Sequence, residues 1–170
     1  MKNIVFIGFM CSGKTTIGRT LAKRQDYKFI DTDQWIRKKE KMDIGDIFEK
    51  KGEDYFRKLE TKTVKHFANN LSNTVVSTGG GLSVRQENIP YLKEIGTVIY
   101  LSVSKDTVLS RLNPNIERPL LSVDDPEKRI EELLEERNPI YEKAADLIID
   151  TNNKTISKIV DEIIERLEDL

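Results

Sequence analysis

The sequence predicts an α/β fold of three layers, a five-stranded parallel sheet with helices on both faces, and three observations carry the prediction. Short β-branched runs at Asn3 to Ile7, Lys28 to Ile30, Thr74 to Ser77, Thr97 to Leu101 and Leu147 to Ile149 alternate with longer, charged stretches of helical character. Runs such as IVFI and TVIYL are apolar at consecutive positions, as strands buried on both faces require. The first run also leads directly into a glycine loop, GFMCSGKTT at residues 8 to 16, and the loop into a helical stretch, KTTIGRTLAKR.

Taken in order, the remaining elements follow the same alternation until the last segment. There TISKIVDEIIERLEDL places Ile156, Ile159, Ile163 and Leu167 at helical spacing, an amphipathic helix with a packing face. Two stretches break the rhythm. After Asp31 ends the second strand, helical segments run on through His66 and Phe67, more chain than a crossover needs, so an insertion is expected over about 32–72. In NPNIERPLLSVDDPEK, Pro114, Pro119 and Pro126 prevent a continuous helix around Arg118, and a lid is expected over about 113–125. The whole of 1–170 is expected to form one domain.

Composition narrows the function. With 28 Lys plus Arg against 29 Asp plus Glu, the net charge of −1 argues against a general nucleic-acid or membrane-surface binder. The first ten residues, MKNIVFIGFM, do not resemble a signal peptide, and no apolar run approaches the roughly 18–20 residues of a membrane span. One cysteine excludes an internal disulfide and there is no zinc-type Cys/His spacing, so a cytoplasmic setting is expected. Monomer is the expected state, since no apolar stripe is left unexplained.

Gly8, Gly13, Lys14 and Thr15 match G-x-x-x-x-G-K-[ST], with a strand before and a helix after, the context that gives this short pattern its meaning. Backbone N–H groups of such a loop, with Cys11, Ser12 and Gly13 in it, form an anion-binding nest at a helix N-terminus. Lys14 then reaches the β and γ phosphates of a nucleotide, and the Thr15 hydroxyl is placed to ligate Mg²⁺. Thr16 is either an ordinary first-turn residue or a further phosphate contact. Cys11 reads as a small side chain tolerated in the loop, the alternative being a reactive thiol at a helix N-terminus.

The phosphate loop alone leaves the acceptor open. A GTPase needs an N-K-x-D sequence, which is absent, so a small phosphotransferase or a nucleotide-binding module remains. Asp31 and Asp33 stand two apart at the end of the second strand, where an extended chain projects them to one side, unless Asp33 merely caps a helix from Gln34. Arg57 precedes Glu60 by three, a neighbouring pair on a helix, and Arg suits a carboxylate ligand. Gly79, Gly80 and Gly81 cost backbone entropy, which a close approach by the backbone would offset. Arg137 is expected to close a helix just before Pro139.

In order and nearly over the whole chain, these pieces resemble shikimate kinase: the phosphate loop, DTD at 31–33, FRKLE at 56–60, GGG at 79–81, RPLL at 118–121 and RNPIY at 137–141. The resemblance implies transfer of the ATP γ-phosphate to the 3-hydroxyl of shikimate, with Mg²⁺ and with ATP and shikimate as the small-molecule partners. It implies Asp33 as the group that binds ring hydroxyls and is the candidate base. Arg57 and Arg137 hold the carboxylate with a backbone contact from Gly80, in a substrate loop that includes Gly79 and Gly81. Asp31 joins the metal shell through water, Arg118 reaches the phosphates when the lid closes, and Arg111 packs on adenine. Glu60 orients Arg57, Ser77 stands where related proteins place an acid near the metal, and Trp35 packs beneath the acceptor. Members often have glycine at the position of Cys11. Other kinases of this fold, acting on gluconate or nucleoside monophosphates, and a non-catalytic nucleotide-binding module are the alternatives.

Overall fold

The computed structural model describes residues 3–116 and 118–170; Met1, Lys2 and Glu117, the last within the expected lid stretch, lie outside the described residues. Five parallel strands form one sheet: β1 (Asn3–Ile7), β2 (Lys28–Asp31), β3 (Thr74–Ser77), β4 (Gly96–Ser102) and β5 (Leu147–Asp150), in the order β2-β3-β1-β4-β5. The register aligns Val5 with Val76 on one side and with Val98 on the other. Strand β1 is therefore central, and the chain crosses to opposite sides of it, which places a ligand crevice beyond its carboxyl end.

Alternation along β1 sorts the core. Ile4 and Phe6 face α1 (Lys14–Arg24) and α8 (Ile156–Glu168), with Ile17, Leu21, Ile159 and Ile163. Val5 and Ile7 face the other layer, built from α4 (Glu53–Ala68), α5 (Ile89–Ile95) and α7 (Pro126–Ala144). Every residue of β1 is buried, as the uninterrupted apolar run requires, whereas the edge strand β5 alternates and leaves Ile148 exposed. At the amino ends of the strands, the Asn3 amide donates to Leu71 O (3.1 Å) and Ile95 O (3.0 Å) and accepts from Thr74 N–H (3.0 Å). The expected stripe on α8 differs at its start. Ile156 is 41 % exposed, because as the first helical residue it lies beyond the sheet, and Val160 takes the buried place instead.

Between β2 and β3 stand α2 (Thr32–Glu40), α3 (Ile44–Lys51) and α4. Ile36, Ile47 and Phe56 join them in a small core of their own. Trp35 lies between α2 and α4, stacked on His66 with ring centres 5.8 Å apart and edge-on to Phe67 at 5.1 Å. After α6 (Lys105–Arg111), a short 3-10 turn at Pro119–Leu121 leads to α7, which begins with Pro126 and is capped by Asp125 accepting from Lys128 N–H.

Two local expectations are corrected. The chain is not extended through Asp33: α2 begins at Thr32, and Asp31 is its cap, accepting from the N–H groups of Asp33 (3.0 Å) and Gln34 (3.1 Å). Nor does Arg137 end a helix, since α7 continues through Pro139 to Ala144. Proline removes only the hydrogen bond to the Glu135 carbonyl, and both residues are exposed, so water can serve that carbonyl. The opposite face, with Leu133, Leu134, Arg137, Tyr141 and Ala144 buried, holds the helix to the sheet.

Candidate functional site

The phosphate loop turns from β1 into α1 at the carboxyl end of the sheet. Gly8 has φ 144° and Gly13 φ 92°, and a Cβ at Gly8 would lie 2.6 Å from the Leu101 carbonyl oxygen, so an L side chain fits neither conformation nor space there. Gly13 precedes α1 without a side-chain cap, and the first turn holds no acidic residue, which leaves its N–H groups for an anion. Cys11 also has positive φ, 61°, which costs a non-glycine residue about 1 kcal/mol. Its half-buried side chain packs against the main core. Lys14 lies across the loop, donating from Nζ to Gly8 O (2.7 Å), Phe9 O (2.8 Å) and the buried Ser12 Oγ (3.4 Å). Burial pulls its pKa down to about 8, opposed by the charges of Asp33 and Asp31. Thr16 is exposed on the first turn.

Thr15 Oγ1 donates to Asp31 Oδ2 at 2.9 Å and lies 3.5 Å from Ser77 Oγ. One carboxylate thus meets the phosphate loop with one oxygen and caps α2 with the other. Two hydroxyls and a carboxylate form the all-oxygen donor set that suits a magnesium ion. Among the described residues no group of three or more His, Cys, Asp or Glu could hold a metal by itself.

Beside this, the glycine run is enclosed by the expected acceptor residues. A Cβ at Gly79 would fall 2.8 Å from Asp33 Oδ1 and 3.1 Å from Glu60 Oε1; at Gly81 it would fall 2.4 Å from Arg57 Nη1. At Gly80 it would meet only ordinary contacts, Gly8 O and Met10 N at 3.6 Å and Arg137 Nη1 at 3.7 Å. Two of the three glycines therefore exist to let side chains lie on the backbone, and the third faces the space between phosphate loop and Arg137. Arg57 is held by Glu60 (2.8 Å) and Glu53 (3.3 Å).

Several polar atoms here are buried with no hydrogen-bond partner among the described residues: Asp33 Oδ1, Glu60 Oε1 and Arg118 Nε. Burial raises the Asp33 pKa to about 6, helped by the Asp31 charge and opposed by Lys14, Arg57 and Arg118. Burial likewise raises Glu60 to about 7, outweighing the Arg57 charge. The Arg118 charge lowers the pKa of both Lys14 and Asp33, and the 3-10 turn that follows it packs Leu120 and Leu121 against the core. Arg111 ends α6 and is fixed by two carbonyls, Cys11 O at 2.9 Å and Thr151 O at 3.1 Å, which holds its guanidinium plane beside the phosphate loop.

The structure thus brings Lys14, Thr15, Asp31, Asp33, Arg57, Gly79–Gly81, Arg118 and Arg137 to one end of the sheet, with Arg111 at the rim. Sequence reasoning passed over Thr32 and Tyr141, whose hydroxyls bond the glycine run from α2 and α7. The signal for Tyr141 was its spacing of four from Arg137, legible only once the helix is known to continue.

The shikimate kinase family model matches residues 10–168. The chain belongs to the shikimate kinase family. Curated relatives include the shikimate kinase of Caldanaerobacter subterraneus subsp. tengcongensis, 47 % identical over 96 % of this chain and 95 % of the relative. That of Thermodesulfovibrio yellowstonii is 43 % identical over 100 % of this chain and 97 % of the relative. Among solved structures, shikimate kinase from Acinetobacter baumannii in complex with shikimate superposes with a TM-score of 0.94 at 35 % identity, covering 99 % of this chain and 94 % of that one. A gluconokinase from Sinorhizobium meliloti 1021, at TM-score 0.64 and 18 % identity over 98 % of this chain and 91 % of that one, shares the fold alone. Family membership makes this chain a kinase.

Proposed function

We propose that the chain transfers the γ-phosphate of ATP to the 3-hydroxyl of shikimate, giving shikimate 3-phosphate on the route to chorismate and the aromatic amino acids, with the residues in the following roles. Arg57 and Arg137 grip the acceptor's carboxylate, Gly80 offers it backbone, and Gly79 and Gly81 give Asp33 and Arg57 their room. Asp33 accepts from the ring hydroxyls and takes the proton of the attacking one. Gripping a group that does not react makes its binding energy available for aligning the acceptor oxygen with phosphorus.

At the donor end the loop N–H groups, Lys14 and Arg118 hold the phosphates and offset the charge that develops on them. Ser12, Gly13, Thr15 and Thr16 line the phosphates, and Arg111 lies against the base. Thr15 would hold Mg²⁺ directly and Asp31 would do so through water; the oxygen donors found there suit that ion, which would neutralise phosphate charge. The insertion at about 32–72 carries the acceptor, and the stretch at about 113–125 is the lid that excludes water. A cytoplasmic monomer belongs to the same reading, and one cysteine that permits no internal disulfide suits that compartment.

The observation that carries the reading is the convergence on the glycine run, with Asp33 against Gly79, Arg137 beside Gly80 and Arg57 laid on Gly81, next to the phosphate loop. The test is an ADP-release assay with Mg²⁺ and ATP, with shikimate, gluconate or nucleoside monophosphates as acceptor. Shikimate-dependent ADP formation that is lost in Asp33→Ala is expected. Turnover with another acceptor and none with shikimate would discard the acceptor half.

A further inference from the structure

A run of three glycines is the most flexible backbone a sequence can specify, yet a site that aligns an acceptor needs its donors fixed. Each peptide unit of the run is held by a different group. The Gly79 N–H donates to Thr32 Oγ1 at 2.9 Å, from the first residue of α2. The Gly79 carbonyl accepts from Leu82 N–H at 3.1 Å, which closes the turn into the 3-10 segment Leu82–Val84. The Gly80 carbonyl accepts from Tyr141 Oη at 2.5 Å, across 61 residues of sequence. In a planar trans peptide, C=O and the following N–H point in opposite directions. Holding the Gly79 and Gly80 carbonyls therefore also aims the N–H groups of Gly80 and Gly81 away from Leu82 and Tyr141.

Both hydroxyl-bearing residues are fully buried, Thr32 and Tyr141 each at 0 % exposure. The Tyr141 ring is itself fixed, packed on Tyr100 with centres 5.2 Å apart, while the Tyr100 hydroxyl donates to Asn138 Oδ1 at 2.9 Å. Tyr141 lies one turn beyond Arg137 on the buried face of α7, so its bond sets the separation between the guanidinium and the glycine backbone. Burial raises the Tyr141 pKa, opposed by the Arg137 charge, so the phenol keeps its proton and remains a donor.

We infer that Tyr141 and Thr32 are positioning residues for the acceptor: their hydroxyls clamp the Gly79–Gly81 backbone from two sides and fix its N–H groups opposite Arg137, without touching the reacting atoms. The inference rests on the reading of Gly80 and Arg137 as the carboxylate site. A merely structural tyrosine would change stability and leave the two Michaelis constants in proportion. A clamp acts on one substrate only.

Tyr141→Phe keeps the buried ring and removes only the hydroxyl. The expected result is a shikimate KM raised about fivefold or more, what the loss of one ordinary hydrogen bond of about 1 kcal/mol does, with the ATP KM unchanged within about twofold. A smaller rise in the shikimate KM of the folded variant, or a parallel rise in both constants, overturns the inference. If Tyr141→Phe does not fold, Thr32→Val is judged by the same criterion, with Thr32→Ser required to restore the wild-type KM. Arg137→Ala separates the two levels of the argument. A shikimate KM insensitive to Arg137→Ala means that the carboxylate reading has failed; sensitivity to Arg137→Ala but not to Tyr141→Phe means that only the clamp has failed.

Discussion

Gly81→Ala is the substitution whose effect the geometry predicts most directly. The backbone there has φ −89° and ψ −10°, which alanine adopts freely, and in most such places the exchange stabilises by about 0.4–1 kcal/mol. Here the new methyl would sit 2.4 Å from Arg57 Nη1, 2.6 Å from Nη2 and 2.7 Å from Cζ. The guanidinium must retreat by about 1 Å to regain van der Waals contact. It ends a flexible side chain, so the fold survives the move, but the 2.8 Å bond to Glu60 and the aim at the acceptor do not. Misplacing one guanidinium–carboxylate contact is worth about 1.5–3 kcal/mol, or roughly 10- to 100-fold in shikimate KM. Initial rates at saturating ATP, with shikimate varied, measure it, and the ATP KM should stay within about twofold. A folded Gly81→Ala variant with an unchanged shikimate KM would refute both the packing argument and the role given to Arg57.

Arg118→Ala should lower kcat by about 100-fold or more while both substrates still bind, as removal of a charge aimed at a transferring phosphoryl group does; an unchanged kcat would take Arg118 out of the chemistry. With Asp33 raised to about 6, kcat/KM for shikimate should fall as pH drops through 6, and a profile flat from pH 5 to 8 would count against Asp33 as base. The same raised value acts on stability. Asp33 and Glu60 bind protons more tightly in the folded chain than at their ordinary 3.8 and 4.5, so their contribution is complete below about pH 4 and is lost as pH rises through about 6 and 7. The ligand-free protein should therefore melt higher at pH 5 than at pH 8, and Asp33→Asn should narrow that difference; an identical pH dependence in the variant would contradict the burial of Asp33.

The strands were legible because sheet burial on both faces leaves a direct trace, the consecutive apolar runs of β1 and β4. The phosphate loop was legible because its work is done by backbone and one lysine in a fixed local frame. What failed was local inference overridden by contacts distant in sequence. Pro139 ends a helix by its own preference, yet Leu134, Arg137 and Tyr141 hold α7 against the sheet on both sides of it. The spacing of Asp31 and Asp33 reads as extended, but Asp31 caps α2 and the extended chain ends there, two residues short of Asp33. The expectation that the glycine run lies close to something was sound. Its partners, Asp33, Glu60 and Arg57 in space and Thr32 and Tyr141 by hydrogen bonds, come from helices that no spacing rule connects to it.

Asp31 has one further consequence. Its Oδ2 is held by the Thr15 hydroxyl of the phosphate loop, and its Oδ1 by the N–H groups that open α2, the helix carrying Asp33. A single carboxylate thus ties the first turn of α1 to the first turn of α2. Thermodynamic linkage makes such a connection reciprocal: the factor by which nucleotide alters affinity for the acceptor equals the factor by which the acceptor alters affinity for nucleotide. If the Asp31 contacts carry such coupling, Asp31→Asn should bring that factor closer to one, which the Kd of shikimate with and without nucleotide would measure.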